Sequence, residues 1–373
     1  MRDVAANLDP DHDTIASFRR ANRAAFEAAF LQVLLLAKES GLLRLGTVAI
    51  DGTKLDANAS EIRSVRHDRA KALRAKLAAD IAELTARAEA ADAEGHPDPQ
   101  ALPAEIARRE ALKAKLDAAC ARLEEQARAE AAAARAEHEA KKAAQEAKTG
   151  RHGRPPRPPE DDPPPSRQTN LTDPDSALMR RSDAHEYRQA YVAPAARGAD
   201  AQAVVCAEGS QLILATAVVA TPADAPVEGM PSTASTILGM KGGIGLPRTV
   251  LADAGFASGE AVAALAAQKI EPLVAIARTQ PHRPDDFRPP PDPKPPRRVR
   301  KAWRLAMQAR METEDAKRLY RRRQQTIEPV FGIIKSVLGF TRFRLRGLAQ
   351  VATEWTLIAL ACNCRRLHRL QQA

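Results

Sequence analysis

The stretch RLYRRRQQTIEPVFGIIK, residues Arg318 to Lys335, predicts one helix that is interrupted past its middle by Pro329. A basic cluster, Tyr320 to Arg323, comes just before Glu328, and Lys335 follows the glutamate at a spacing close to two helical turns. A carboxylate that binds a metal ion, with cationic side chains on either side, would suit a site that binds a phosphodiester. The spacing alone leaves a second interpretation open, an ordinary solvated helix with exposed ion pairs.

The charge of the chain is concentrated at its C-terminal end. The net charge is +10 over 373 residues, and residues 294–373 carry 19 lysines and arginines against 5 acidic residues. Such a segment indicates a polyanionic partner, most simply DNA, although a basic surface that only aids solubility is the alternative. No apolar run is long enough to span a bilayer and the N-terminus does not resemble a signal peptide, which predicts a cytoplasmic protein with no membrane partner.

The cysteines give no metal-binding pattern. Cys362 and Cys364 lack a second pair at zinc-ligand spacing, and Cys120 and Cys206 lie in helix-like and strand-like contexts. All four are predicted to be small core residues of a reduced protein.

Two aspartates follow short apolar runs of the kind that forms buried strands. Asp51 comes after Thr47-Val-Ala-Ile50, and Asp253 comes after Thr249-Val-Leu-Ala252, each with a glycine close behind. A carboxylate at the carboxyl end of a central strand is where α/β folds place chemistry, whereas Asp-Gly alone is typical of an ordinary turn. If the two strands are neighbours, the aspartates meet at one edge of the sheet.

The remaining chain predicts an α/β fold with a mixed sheet flanked by helices. Leucines and alanines at steps of three and four indicate an antiparallel, coiled-coil-like helical hairpin, and a proline-rich linker that cannot pack follows it. The predicted parts are a helical N-terminal region (1–41), the first core strand (42–60), the helical hairpin (61–149), the linker (150–169) and the rest of the core (170–373), which has a proline-rich insertion (279–296) and basic C-terminal helices.

Together Asp51, Asp253 and Glu328 form a candidate catalytic and metal-binding triad. Three clustered carboxylates repel one another unless a cation neutralises them, and hard oxygen ligands favour Mg²⁺ or Mn²⁺. Two such ions stabilise the attacking and departing oxygens of an in-line phosphodiester displacement. Attack by water gives hydrolysis, and attack by a DNA 3′-hydroxyl gives strand transfer.

Several segments resemble bacterial insertion-sequence transposases of the DDE type, in the branch with a long helical insertion after the first aspartate. These segments are VAIDGTKLDANAS, NLTDPDS, LADAGFAS and YRRRQQTIEPVFGIIKSVLGFTRFRLRGLAQVATEWTLIALACN. The resemblance implies an RNase H-like core, the Asp51, Asp253 and Glu328 triad with two Mg²⁺ or Mn²⁺ ions, and cutting and rejoining at terminal inverted repeats. It also implies contact of Tyr320, Arg323 and Lys335 with DNA phosphates, with Arg321 as a neighbouring candidate.

In the wider family an arginine commonly lies four residues before the glutamate, a position that Gln324 occupies here. The resemblance further implies a homodimer on transposon ends and target DNA, associated with the nucleoid when bound, and an N-terminally truncated chain. Two alternatives stay open beside an active transposase. One is a DNA-binding remnant without chemistry, and the other is an RNase H-like nuclease without strand transfer.

The segment TRFRLRG alternates three arginines with apolar residues. Arg342, Arg344 and Arg346 therefore fall on one side of an extended segment, which predicts contact with a phosphate backbone or, equally, a solvated edge.

Overall fold

The computed structural model describes residues 10–93, 101–146, 158–180, 187–190, 201–218, 237, 239–240, 243–276 and 301–372. Two compact units are present. The sheet unit takes in the described residues up to 58 and those from 201 onward, and the hairpin unit takes in the described residues from 59 to 190.

The strands of the described residues, in chain order, are β1 (Thr47–Thr53), β2 (Ser64–Arg66), β3 (Gln168–Asn170), β4 (Ala177–Arg180), β5 (Tyr187–Ala190), β6 (Ala201–Cys206), β7 (Ile213–Val218), β8 (Thr249–Ala252) and β9 (Glu271–Val274). The α-helices are α1 (His12–Ala21), α2 (Arg23–Glu39), α3 (His67–Ala93), α4 (Ala101–Glu146), α5 (Gly259–Ala267), α6 (Ala302–Glu312), α7 (Glu314–Gly332) and α8 (Leu348–Gln371).

The sheet unit is built on a five-stranded sheet in the order β7-β6-β1-β8-β9. The hairpin β6–β7 adds antiparallel strands on one side of β1, and β8 and β9 add parallel strands on the other. The central strands are fully buried at Val48, Ile50, Val250 and Leu251. Helices cover the sheet, and strands covered on both faces consist of continuous apolar runs. The predicted mixed sheet flanked by helices is confirmed, and its strand order is consistent with an RNase H-like core.

The buried side-chain amide of Asn363 connects helix α8 to the edge strand β7 through hydrogen bonds. The Asn363 side chain, 1% exposed, accepts a hydrogen bond from the Ile213 N–H at 2.8 Å and donates one to the Ile213 carbonyl at 2.7 Å. The same helix buries Trp355 completely. The two backbone groups of Ile213 that would face solvent at a sheet edge are therefore satisfied by a side chain.

The prediction that Pro329 interrupts the helix over residues Arg318 to Lys335 is wrong. Helix α7 continues through Pro329 to Gly332 and then changes into a π-helical turn, Ile333–Val337. A proline removes the hydrogen bond to the carbonyl four residues earlier, here that of Gln325. The Gln211 side-chain amide donates to this carbonyl at 3.2 Å, so the freed acceptor has a new partner and the helix persists.

The N-terminal helical region is divided at Asn22 into two helices. Helix α1 is capped by Asp11, whose carboxylate accepts the Thr14 N–H at 2.7 Å. Gly41, with φ of +70°, lies just after α2, where a glycine commonly ends a helix.

The hairpin unit contains α3 and α4. Their ion pairs show that the two helices run antiparallel: Lys71 pairs with Glu124, Arg74 with Asp117, and Asp80 with Arg109. Leu116, Cys120 and Leu123 of α4 are buried. Most of the described part of the proline-rich linker, residues 158–169, is exposed, but Pro163, Arg167 and Thr169 are buried, contrary to the prediction that the linker cannot pack. Arg167 is 6% exposed and forms two hydrogen bonds with the Glu130 carboxylate at 2.6 and 2.8 Å.

The cysteine prediction is correct for Cys120 and Cys206, which are buried, and wrong for Cys364, which is exposed. Cys362 is half-buried, and burial raises the pKa of its thiol to about 11. The proline-rich insertion 279–296 lies outside the described residues. No described helix has the length and apolar character required to span a membrane.

Candidate active site

Asp51 and Asp253 lie side by side on neighbouring parallel strands. Strand β1 pairs with β8 through Thr47 with Thr249, Val48 with Val250, and Ala49 with Leu251. The same register, continued two residues along both strands, places Asp51 level with Asp253. Strand β1 extends to Thr53, so Asp51 lies inside the strand and not directly after it as predicted.

Each carboxylate is oriented by a backbone N–H close to it in the chain. Oδ1 of Asp51 accepts from the Gly52 N–H at 2.9 Å, and Oδ1 of Asp253 accepts from the Gly255 N–H at 2.8 Å. The contact with Asp253 favours glycine at position 255, because a Cβ there would lie only 3.0 Å from Asp253 Oδ1. Both contacts leave the second carboxylate oxygen of each aspartate for other partners.

Helix α7 brings a tyrosine and an arginine, one turn apart, to the same strand ends. Nη1 of Arg323 donates to Oδ2 of Asp51 at 2.6 Å, and the Tyr320 hydroxyl donates to the Ala252 carbonyl at 3.2 Å. The two side chains of the ion pair are 13% and 22% exposed, Arg323 being the more buried. Nε of Arg323 is buried and has no hydrogen-bond partner within the described part of the chain.

The electrostatic balance at this site favours additional positive charge. Burial raises the pKa of the Asp51 carboxyl above its ordinary value, and this effect exceeds the opposing effect of the Arg323 guanidinium. The neighbouring charge of Asp253 raises the same pKa further. Burial also raises the pKa of the Tyr320 hydroxyl, which stays a neutral donor.

Glu328 does not join the aspartates in this structure. Its side chain is exposed on α7, five residues after Arg323 and therefore about 140° around the helix from it. Among the described residues, no group of three or more His, Cys, Asp or Glu side chains is arranged to hold a metal ion. Arg321 is exposed as well, and Lys335 is half-buried in the π-helical turn.

The arginine segment, residues 342–346, has the predicted alternation. Arg342, Arg344 and Arg346 are exposed, whereas Phe343 is 1% exposed and lies edge-on against Phe340. The segment is attached to the chain that leaves β1. The Phe343 N–H donates to the Asp56 carbonyl at 2.9 Å, the Asn58 side chain donates to the Arg344 carbonyl at 2.6 Å, and Arg346 Nε donates to the Asn58 carbonyl at 2.8 Å.

A comparison with protein families identifies the broader relationship. The family model described as "Transposase DDE domain" matches residues 168–364, which is more than half of the chain. The chain belongs to the DDE transposase family. The resemblance inferred from the sequence is thereby confirmed, and the matched residues include Asp253, Arg323 and Glu328, whereas Asp51 precedes them. Neither the curated proteins nor the solved structures that were searched gave a match.

The aspartate pair of this DDE domain fits the divalent ion that the family uses. Asp51 and Asp253 supply hard carboxylate oxygens that are side by side, oriented and mutually repulsive, which is a donor set that Mg²⁺ or Mn²⁺ neutralises. In this structure the Arg323 guanidinium provides the positive charge at Asp51 instead.

Sequence reasoning missed this pairing of Arg323 with a catalytic-site candidate and assigned the arginine to DNA phosphate. The available signal was the three-residue spacing of Tyr320 and Arg323, which sets both side chains on one helical face. The partner, Asp51, lies 272 residues away and was not predictable from that spacing.

Proposed function

We propose that this chain is a DDE transposase that cleaves and joins DNA strands at the terminal inverted repeats of an insertion sequence. The observation that carries the proposal is the alignment of Asp51 with Asp253 on adjacent parallel strands, in a chain that belongs to the DDE transposase family. Asp51, Asp253 and Glu328 are the proposed catalytic and metal-binding residues, and Mg²⁺ or Mn²⁺, two ions in the active complex, is the proposed cofactor.

Asp51, within β1, and Asp253, directly after β8, would hold the metal ions that meet the reacting phosphodiester. When bound, the ions supply electrostatic stabilisation of the attacking and departing oxygens. Gly52 and Gly255 keep the carboxylates oriented through their N–H groups, so the ligands are arranged before DNA arrives. The bound phosphodiester is the substrate for attack by water or by a DNA 3′-hydroxyl.

Glu328 completes this site through a rearrangement of α7. The helix contains Pro329 and passes into a π-helical turn at Ile333, and both features are common where helices bend. A turn of the helix about this point brings the exposed glutamate towards the strand ends. Arg323 leaves Asp51 in the same rearrangement and becomes available to a DNA phosphate, the role that the resemblance to DDE transposases implies for it.

Further basic side chains of the sheet unit are proposed to bind the DNA backbone. Arginine pairs with phosphate through its planar donor fork, and exposed positions on an extended segment suit contact with successive phosphates. A homodimer that binds both transposon ends and the target is the proposed assembly. The proposed DNA-binding residues are Tyr320, Arg321, Arg323, Lys335, Arg342, Arg344 and Arg346.

Purified protein with oligonucleotide duplexes carrying candidate inverted repeats tests this proposal. With Mg²⁺ or Mn²⁺, joined products are expected from wild type, while Asp51→Asn binds DNA and gives neither cleavage nor joining. Activity that survives Asp51→Asn contradicts the assignment of Asp51.

Two alternative functions give different products in the same assay. Cleavage without joining indicates an RNase H-like nuclease. Binding without any cleavage indicates a DNA-binding remnant, an alternative favoured by the exposed position of Glu328 and the Arg323–Asp51 ion pair.

A further inference from the structure

A groove of about 460 Å³ in the sheet unit is lined by arginines from two distant parts of the chain. One wall comes from α1 and the start of α2, and the other from the end of the arginine segment and the start of α8. Among the described residues, the charged side chains that line it are all arginines, namely Arg19, Arg20, Arg23 and Arg346.

The wall formed by α1 and the start of α2 contributes three arginines to the groove. Arg19 and Arg20 lie near the end of α1, and Arg23 begins α2 directly after the break at Asn22. Within the described part of the chain, the contacts recorded for Arg20 and Arg23 are local. Arg20 donates to the Ser17 hydroxyl at 3.1 Å, and Arg23 pairs with Glu27 at 3.2 Å, with about half of each side chain of that pair exposed. Exposed pairs of this kind contribute little and exchange readily for a stronger anion.

The opposite wall is held in place by the chain that leaves the candidate active site. Arg346 Nε donates to the Asn58 carbonyl, which leaves the outer part of its guanidinium for other partners. Gly347, with φ of +80°, follows directly, and this left-handed conformation allows α8 to begin at the groove. The N-terminal end of α8 adds positive potential through the helix dipole.

Four guanidinium groups around one groove repel each other, and an anion with several charges in a row relieves that repulsion. A phosphate backbone supplies such a row at regular spacing, and each phosphate accepts a bidentate hydrogen bond from arginine. An acidic peptide offers the same charge with less regular spacing. Duplex DNA is favoured because the chain belongs to a family of DNA transposases.

We propose that this groove binds the sugar–phosphate backbone of duplex DNA at a distance from the reacting phosphodiester. The inference rests on the proposed function in one respect, that DNA is the substrate. The groove and the candidate active site are joined by residues 56–58, which follow β1 and hold the arginine segment. DNA in the groove is thereby directed along Arg346, Arg344 and Arg342 towards the end of β1 that carries Asp51.

The test compares two triple variants of the full chain that lose the same charge. The groove variant is Arg19→Gln, Arg23→Gln, Arg346→Gln. The control variant is Arg248→Gln, Arg365→Gln, Arg369→Gln, at exposed positions of the sheet unit outside the groove. Fluorescence anisotropy with a labelled duplex of about 30 base pairs, in EDTA and over a series of salt concentrations, gives the affinity and its salt dependence.

The groove variant is expected to bind at least about tenfold more weakly at moderate salt and to lose about 2 to 3 from the slope of log K against log salt. The control variant is expected to lose less than about 1 from that slope. Circular dichroism establishes that both variants are folded. Equal losses in the two variants overturn the proposal, and so does a wild-type chain that does not bind duplex DNA.

The metal-free assay separates this proposal from the proposed catalytic function. Wild-type binding that depends on the groove, in a chain that does not cleave DNA with Mg²⁺, supports the groove and contradicts the catalytic proposal. Cleavage with binding unaffected by the groove variant supports the catalytic proposal and overturns the groove.

Discussion

Replacing Arg323 with glutamine removes the positive charge that Asp51 contacts and leaves two carboxylates side by side. The contact is a charge-assisted hydrogen bond of 2.6 Å between side chains that are 13% and 22% exposed. Removing one partner of a buried ion pair costs about 3–5 kcal/mol, and the residual exposure of Asp51 lowers the expected loss in metal-free stability to about 2 kcal/mol. The same substitution removes the guanidinium group that competes with a divalent ion for the Asp51 carboxylate.

Mn²⁺ is therefore expected to bind Arg323→Gln more tightly than wild type. About 2 kcal/mol of released competition corresponds to an affinity roughly 10- to 100-fold higher. Titration followed by electron paramagnetic resonance of free Mn²⁺ measures this affinity directly. Thermal unfolding with and without Mn²⁺ gives a second readout, because a ligand bound only by the folded state stabilises it.

The matched control is Arg322→Gln, which removes one charge from the neighbouring, exposed position on the same helix. A small rise in Mn²⁺ affinity is expected there from the general change in charge. Equal Mn²⁺ affinities for Arg323→Gln and Arg322→Gln would show that the contact of Arg323 with Asp51 has no specific effect on metal binding.

Three further predictions concern stability and geometry. Burial raises the folded-state pKa of Asp51, so wild type loses stability as pH rises through that pKa. Measured by urea unfolding, the free energy of unfolding of Asp51→Asn should therefore improve relative to wild type as pH rises from the ordinary range of an aspartate pKa through the raised pKa of Asp51, and the opposite trend would contradict that direction. Asn363→Leu should cost about 1–3 kcal/mol, because both backbone groups of Ile213 lose their partner, and an unchanged urea midpoint would show that water replaces the amide. Gly255→Ala places a Cβ 3.0 Å from Asp253 Oδ1 and should slow metal-dependent cleavage roughly tenfold or more with little change in melting temperature, whereas wild-type rates would show that the carboxylate position is not critical.

The sheet and the aspartate pair were accessible from sequence for a local reason. Each aspartate follows an apolar run of four residues, and buried parallel strands have this appearance. Once β1 and β8 are neighbours in equal register, the meeting of Asp51 and Asp253 follows from the position of each residue along its strand.

The features that sequence reasoning missed depend on partners far away in the chain. Pro329 predicts a helix break locally, yet Gln211 satisfies the carbonyl that the proline leaves free. Prolines near 158–167 predict an unpacked linker, yet Arg167 is buried against Glu130. In both cases hydrogen bonds to residues distant in the chain accompany the departure from the local preference, and no periodicity in the sequence encodes them.

The position of Glu328 shows a different limit. Its place in the family signature predicts a third carboxylate ligand, and the helix that carries it is present, although Pro329 does not interrupt it. The local pattern does not decide which side chain of α7 faces the strand ends, and in this structure Arg323 takes that position while Glu328 is exposed.

Anomalous diffraction from crystals of the chain soaked with Mn²⁺ is the most direct test of the site itself. Manganese is expected within coordinating distance of the carboxylates of both Asp51 and Asp253, with Arg323 displaced from Asp51. Manganese absent from the aspartate pair at saturating concentration, with the Arg323–Asp51 ion pair intact, would contradict this expectation.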